Sequence, residues 1–221
     1  MKIAYWSDFN CPNSDIGLNR VKQAAEELNL DFEWEMKAFE LEPMLENTPT
    51  IPTVTKHAIK YGLTPEDAEA EISEIEEIAC EEGLNINYKD AKVSNSRSTH
   101  RLVKFAQKKN PEVTQDLVFK IYEANFTNNR IIADIDVLSE IACEVGFSED
   151  EVKTMLLNNS YDVEVNIDEE DARFNGLYSI PFYLIMINEE QLSIPGAFGK
   201  EDFKIAMEDL LNGEIRYKSF I

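Results

Sequence analysis

The chain has 221 residues, 43% hydrophobic and 29% charged, a balance that supports a buried core and excludes the low-hydrophobicity pattern of disorder. Its 43 acidic and 21 basic side chains leave a formal charge of -22. That field repels phosphate backbones and anionic lipid surfaces, so nucleic acid and membrane are set aside as partners. The acids are dispersed in stretches such as Glu74-Ile75-Glu76-Glu77, which read as a solvated surface.

No apolar run approaches the roughly 20 residues of a membrane span. The opening Met1-Lys2-Ile3-Ala4-Tyr5-Trp6 turns polar at Ser7 and Asp8, which reads as a strand and not as a signal peptide. Lys2 to Asp8 is therefore the first expected strand, and Ile16, Val21, Ala24, Ala25 and Leu28 recur at helical spacing across Pro12 to Asn29. Phe32, Trp34, Met36 and Ala38 then alternate with Glu33, Glu35 and Lys37, the period of a half-buried strand. A βαβ unit opens the chain.

From Pro43 the pattern turns helical after the turn-rich stretch Asn47 to Pro52. Thr64 reads as an N-cap, Pro65 as the first helical residue and Gly83 as the stop. Further helices are expected over Ser98 to Lys109, Glu112 to Phe126, Ile135 to Val145 and Ser148 to Asn158, the last with a capping box from Ser148 to Glu151. Another spans Asp162 to Asn175. The run Phe182 to Ile187 reads as a buried strand, turned by Asn188 to Gln191 into a second strand at Leu192 to Pro195, and Phe198 to Leu211 closes the chain as an amphipathic helix.

Chemistry centres on Cys11. A cysteine immediately before Pro12 sits at or beside a helix N-terminus, where unpaired N–H groups and the helix dipole favour the thiolate, the species that attacks disulfides. Asp8 and Asp15 oppose that charge; the alternative reading is a small buried thiol. Cys80 and Cys143 lie in the similar stretches Ile78-Ala79-Cys80 and Ile141-Ala142-Cys143 and read as core residues, with a distant resolving thiol as the lesser reading. Three scattered cysteines are no disulfide framework, and a reducing, cytoplasmic setting is expected. His57 and His100, the two histidines, have no metal-ligand spacing, so no metal site is expected. His100 reads as a capping or packing residue more than a catalytic one, and Arg101 either as an aid to an anionic substrate or as a surface ion pair.

Five landmarks in order carry a family resemblance: Ser7-Asp8-Phe9-Asn10-Cys11-Pro12, Ala38-Phe39-Glu40-Leu41-Glu42-Pro43, Thr99-His100-Arg101-Leu102, Ser179-Ile180-Pro181-Phe182 and Ile194-Pro195-Gly196-Ala197. Together they resemble the DsbA-like thioredoxin family over nearly the whole chain, and its cytoplasmic FrnE-type branch in particular. Kappa-class glutathione transferases and hydroxychromene-carboxylate isomerases are related. The resemblance implies an α/β thioredoxin-like fold of order βαβ then ββα, with a mixed sheet in residues 1–42 and 160–221 and an all-helical insertion in 43–159. It implies a catalytic Cys11 beside Pro12, a cis-Pro181 facing it, and Phe9, Asn13, Ile180 and His100 around the substrate, with the Ile180 backbone free to pair with an extended substrate.

One departure reshapes the expected activity: Ser14 stands where the family has its second cysteine. No intramolecular disulfide forms at this motif, so a mixed disulfide on Cys11 must be released by an external thiol such as glutathione or by the substrate's own second thiol. The expected function is thus monothiol exchange or isomerisation with thiol- or disulfide-bearing small molecules or proteins. Glutathione enters as co-substrate, no cofactor is tightly bound, and a homodimer is an allowed assembly. Ser14 is either a hydroxyl donor to the Cys11 thiolate or an ordinary first-turn helix residue. A glutathione-dependent transferase or isomerase and a non-catalytic binding or chaperone module are the alternatives.

Overall fold

In the computed structural model, which describes residues 1–213, four strands form one mixed sheet in the order β2-β1-β3-β4. The strands are β1 (Lys2–Ser7), β2 (Glu33–Ala38), β3 (Phe182–Ile187) and β4 (Glu190–Pro195). β1 runs parallel to β2 and antiparallel to β3, with Tyr5 opposite both Met36 and Tyr183. Helix α1 (Pro12–Glu27) makes the crossover from β1 to β2, as a parallel pair requires. Between β2 and β3 come α2 (Thr53–Tyr61), α3 (Pro65–Glu81), α4 (Arg97–Lys109), α5 (Thr114–Tyr122), α6 (Ile135–Glu144), α7 (Glu149–Leu157) and α8 (Asp162–Phe174), and α9 (Lys200–Asn212) follows β4. The expected α/β thioredoxin-like fold with a helical insertion is the fold observed.

The chain divides into two compact units, Met1–Phe39 with Asn166–Ile221 and Glu40–Val165, where the sequence suggested 1–42 with 160–221 and 43–159. The part of that expectation covering 214–221 lies outside the described residues.

In the sheet unit, burial follows strand position. The inner strand β1 is buried on both faces from Ile3 to Ser7, whereas edge strand β2 buries Met36 and Ala38 and leaves Glu33 exposed. Along β3, Tyr183, Ile185 and Ile187 face inward, with the period-two alternation of a pleated strand. On that face α9 packs on β3, β4 and α1, and Tyr183 stacks on Tyr5 at 6.2 Å and meets Phe203 edge-on at 5.1 Å. Such pairs contribute about 0.5–1.5 kcal/mol each beyond the area they bury. The other face carries Trp6, Phe182 and Leu184 with Ala172 and Leu177. There Asp168, 5% exposed, accepts from the Ala38 N–H at 2.9 Å and lies 3.9 Å from Lys37.

The helical unit centres on α4, which buries Thr99 through Val103, Phe105 and Ala106. Arg97 pairs with Glu40 at 2.9 Å and Asp162 at 2.8 Å. Arg101 takes neither of its expected roles. It is buried and donates to the carbonyls of Met155 (2.9 Å), Ser160 (2.8 Å) and Asn158, clamping the α7 C-terminus, where unpaired carbonyls and the negative end of the helix dipole attract a cation.

Other local expectations need correction. Cys80 and Cys143 are exposed, because the buried positions of α3 and α6 are the preceding residues Ala79 and Ala142. One residue along a helix turns a side chain by about 100°. The helix expected over Glu112 to Phe126 is a 3-10 turn (Pro111–Val113), α5, and a π-helical turn (Glu123–Thr127). Ser148 begins α7 without a side-chain cap, whereas Thr64 does cap α3 by accepting from the Asp67 N–H at 3.1 Å. β4 starts at Glu190, since Asn188 at φ 57 completes the reversal within two residues and Ile187 pairs directly with Glu190.

Candidate active site

The turn from β1 into α1 builds the site. Asp8 accepts from the Cys11 N–H through its carbonyl at 3.0 Å and from the Asn10 N–H through its carboxylate at 3.3 Å. This places Cys11 as the α1 N-cap in extended conformation, with Pro12 in the first helical turn and the Ser14 N–H donating to the Cys11 carbonyl at 3.0 Å. Proline suits that position because its φ is already helical and its missing N–H would have had no partner. Cys11 is 8% exposed, Phe9 and Ser14 are fully buried, and Asn13 is the exposed residue of the motif.

The electrostatics of Cys11 oppose the thiolate expected from the sequence. Burial pushes the thiol up from its ordinary value, and the Asp8 charge adds to this. The Ser14 hydroxyl and the backbone N–H groups of Ser14 and Asn13 pull the other way. Burial wins, so the resting group is a thiol. The dipole argument was right in direction but omitted desolvation, which disfavours any charged form in an apolar setting. The Ser14 hydroxyl is buried and makes no regular hydrogen bond among the described residues.

Pro181 follows a cis peptide bond from Ile180 and is buried at the entrance to β3. Among the described residues the Ile180 N–H and carbonyl take no backbone hydrogen bond, while the Pro181 carbonyl accepts from the Gly196 N–H at 2.7 Å. Of the expected site residues, Phe9, Cys11, Pro12, Asn13 and Ser14 share one turn and Ile180 and Pro181 one loop of the same sheet unit. His100 belongs to the helical unit, buried on α4. Among the described residues, no cluster of three or more His, Cys, Asp or Glu side chains is arranged to hold a metal ion.

Two functional candidates went unnoticed as such in the sequence. Asp15 had entered only as a charge opposing the thiolate. It is 5% exposed, and burial lifts its carboxyl from 3.8 to about 7. Tyr183 is fully buried with a hydroxyl that has no hydrogen-bond partner among the described residues, and burial raises its phenol well above the ordinary value, with negative charge on Tyr5, Cys11 and Asp15 adding to this. Its ring reaches α1 because residue 17 is glycine: a Cβ there would lie 2.6 Å from the Tyr183 hydroxyl and 3.1 Å from the Ala197 methyl. The available signal was the inward phase of Tyr183 in β3. On the opposite sheet face a groove of about 560 Å³ is lined by Trp6, Lys37, Asp171, Phe182, Leu184 and Met186, and its Lys37 is already paired with Asp171 at 3.0 Å.

Known proteins resemble this chain in sequence and fold. The chain is 26% identical over 211 residues to the Bacillus subtilis (strain 168) protein YwbO, covering 94% of this chain and 96% of that one. The crystal structure of the probable DsbA oxidoreductase SCO1869 from Streptomyces coelicolor superposes with a TM-score of 0.86 at 26% identity, over 99% of this chain and 93% of that one. The fold also matches cytosolic disulfide reductase DsbM from Pseudomonas aeruginosa, solved with GSH, with a TM-score of 0.66 at 14% identity over 96% of this chain and all of that one. The model of the DSBA-like thioredoxin domain matches residues 2–208, and with the thiol at the head of α1 and the sheet order already described, the chain belongs to the DSBA-like thioredoxin domain family.

Proposed function

We propose that this protein is a monothiol member of its family that exchanges disulfides through a mixed disulfide on Cys11, with an external thiol, glutathione foremost, completing the turnover. The observation that carries the reading is the N-cap position of Cys11, where the Asn13 and Ser14 N–H groups and the otherwise unpartnered Ser14 hydroxyl all favour a thiolate. Ser14 occupies the place of the second thiol and offers an O–H in its stead.

The Cys11 thiolate attacks one sulfur of a disulfide; the Cys11–sulfur bond forms, the substrate S–S bond breaks, and the other half leaves as a thiolate that takes up a proton. A glutathione thiolate then attacks the mixed disulfide and restores Cys11. The Ile180 N–H and carbonyl, without a backbone partner among the described residues, suit pairing with an extended substrate backbone, in the manner of an added strand. Three unpaired cysteines favour a reducing, cytoplasmic setting, and the DsbM structure with GSH motivates the choice of glutathione.

The raised Cys11 thiol favours a second reading, a binding module whose thiol is inert. Glutathione-disulfide exchange separates the two. Cys11→Ser is expected to abolish exchange and Ser14→Ala to retain a reduced rate. An exchange rate that survives in Cys11→Ser contradicts the proposal, and a wild-type protein with no exchange supports the binding module.

A further inference from the structure

The two faces of the sheet are covered unequally. Over one, α9 packs on β3, β4 and α1. Over the other, Ala172 of α8 and Leu177 cover the Trp6 end, and the groove of about 560 Å³ opens beside them. The strand register explains the depression. Glu35, Ala4, Leu184 and Ser193 stand in one row across the four strands, and all four line the groove. Alanine and serine keep that row low between the Trp6–Phe182 pair on one side and the Lys2–Met186 pair on the other. A sheet face that carries apolar side chains is ordinarily buried under a second layer.

A ridge of uncovered apolar side chains borders the groove. Phe174 is 90% exposed, Tyr178 83% and Ile167 55%. At about 100° per residue, Asp171 of α8 falls between the buried Asp168 and Ala172 and the exposed Ile167 and Phe174. Asp171 lines the groove, so the Ile167–Phe174 stripe lies on the groove side of the helix. Tyr178 stands at the same margin, its ring 4.0 Å from where a Cβ on the groove-lining Gly176 would sit. The charges of the face are already paired, Lys2 with Glu35 at 2.6 Å and Lys37 with Asp171 at 3.0 Å. On a chain of formal charge -22, acids paired in this way repel a second copy less than bare ones do, and they offer a strongly basic partner little to hold.

We propose that this face is a two-fold interface between copies of this chain, with the ridge of each copy seated in the groove of the other. A groove beside a ridge is self-complementary under a two-fold axis, which uses each patch twice and closes the assembly at two chains. The area suffices. A fully exposed aromatic presents on the order of 150–250 Å². The ridge holds two aromatics together with Ile167, and ridge and groove each count on both copies, which reaches the roughly 1,200–2,000 Å² of a specific interface. An uncovered apolar patch of that extent marks an association surface. The interface is separate from the exchange chemistry of Cys11 and is tested without it.

Sedimentation velocity of the full chain over roughly 1 to 100 μM, a range that spans micromolar dissociation constants, measures the assembly. At the upper end the expected species has twice the 25.3 kDa mass of the chain. Phe174→Asp, at a position too exposed to disturb the fold, weakens dimerisation by about a hundredfold or more, since both copies carry the change. Ser193→Trp, which fills the groove, has the same effect; should it not fold, Gln191→Trp at the exposed margin of the same groove replaces it. Tyr61→Asp, at an exposed aromatic of the helical unit, leaves the dimer intact. Mixing the Phe174→Asp and Ser193→Trp chains restores one intact ridge facing one intact groove, so the mixed pair associates roughly tenfold or more tightly than either variant alone. A chain that stays monomeric, a dimer that Phe174→Asp leaves unchanged, or a mixture no tighter than its components overturns the proposal. It is overturned in favour of residues 214–221 as the occupant if the full chain is monomeric and a chain ending at residue 213 dimerises.

Discussion

Two aspartates of the sheet unit, equally buried at 5% exposure, sit on opposite faces and live in opposite circumstances. Asp168, on the Trp6 face, accepts from the Ala38 N–H at 2.9 Å, faces Lys37 at 3.9 Å, and offers its carbonyl to the Trp6 indole N–H at 3.3 Å. It fastens α8 to the edge strand β2. Asp15, on the α1 face, has no such partner among the described residues, and burial lifts its carboxyl to about 7. Burial alone therefore does not decide how a carboxyl is held; the groups that surround it do.

Replacing each acid should change stability in opposite directions. Asp168→Ala strands the Ala38 N–H and leaves Lys37 one carboxylate fewer, and a loss of about 3 kcal/mol is expected in urea unfolding at neutral pH. A loss under 1 kcal/mol would make Asp168 a bystander. Asp15→Asn should stabilise the protein, and only at higher pH. The folded-state value of Asp15 is raised, so its contribution is fully present below about pH 4, where the carboxyl is protonated in both folded and unfolded chains. It is lost as the pH climbs towards 7, because the unfolded chain ionises first. Asp15→Asn should match wild type near pH 4 and exceed it above pH 7 by up to about 4 kcal/mol, the ceiling set by a shift of that size; a difference that does not grow between those pH values would show that Asp15 is not held neutral by burial.

A smaller effect sharpens the α1 face. Gly17→Ala places a methyl 2.6 Å from the Tyr183 hydroxyl, and a cost of about 1–3 kcal/mol is expected. Pairing it with Tyr183→Phe should recover much of that cost, since the clashing oxygen is gone; strictly additive losses would mean that Ala197, 3.1 Å from the same methyl, sets the limit. Smallest of all, Cys80→Ala and Cys143→Ala should each shift the unfolding midpoint by no more than about 0.5 kcal/mol equivalent, because both thiols are exposed.

Sequence periodicity made most of the fold legible. The alternation in 32–38 and the apolar run 182–187 mark strands whose neighbours are set by the short turn at Asn188 and by the helix after Cys11. Thr64 announced its own cap. What escaped depended on distant groups or on phase: Arg101 serves carbonyls of Met155, Asn158 and Ser160 more than 50 residues away, and Cys80 and Cys143 miss the buried stripe by one residue. At the site, the Cys11-Pro12 pair placed the thiol at a helix N-terminus, but its protonation depended on how completely the turn is buried. Tyr183 meets Asp15 and Cys11 electrostatically only once β3 lies beside β1, a pairing no local pattern encodes.

The most direct measurement is intact-mass and peptide mapping of the protein after brief exposure to glutathione disulfide at mildly alkaline pH, followed by reduced glutathione. The account predicts one glutathione on Cys11 that forms, in spite of its burial, and is removed by reduced glutathione with release of glutathione disulfide. Adducts confined to the exposed Cys80 and Cys143, with Cys11 unmodified, would contradict it.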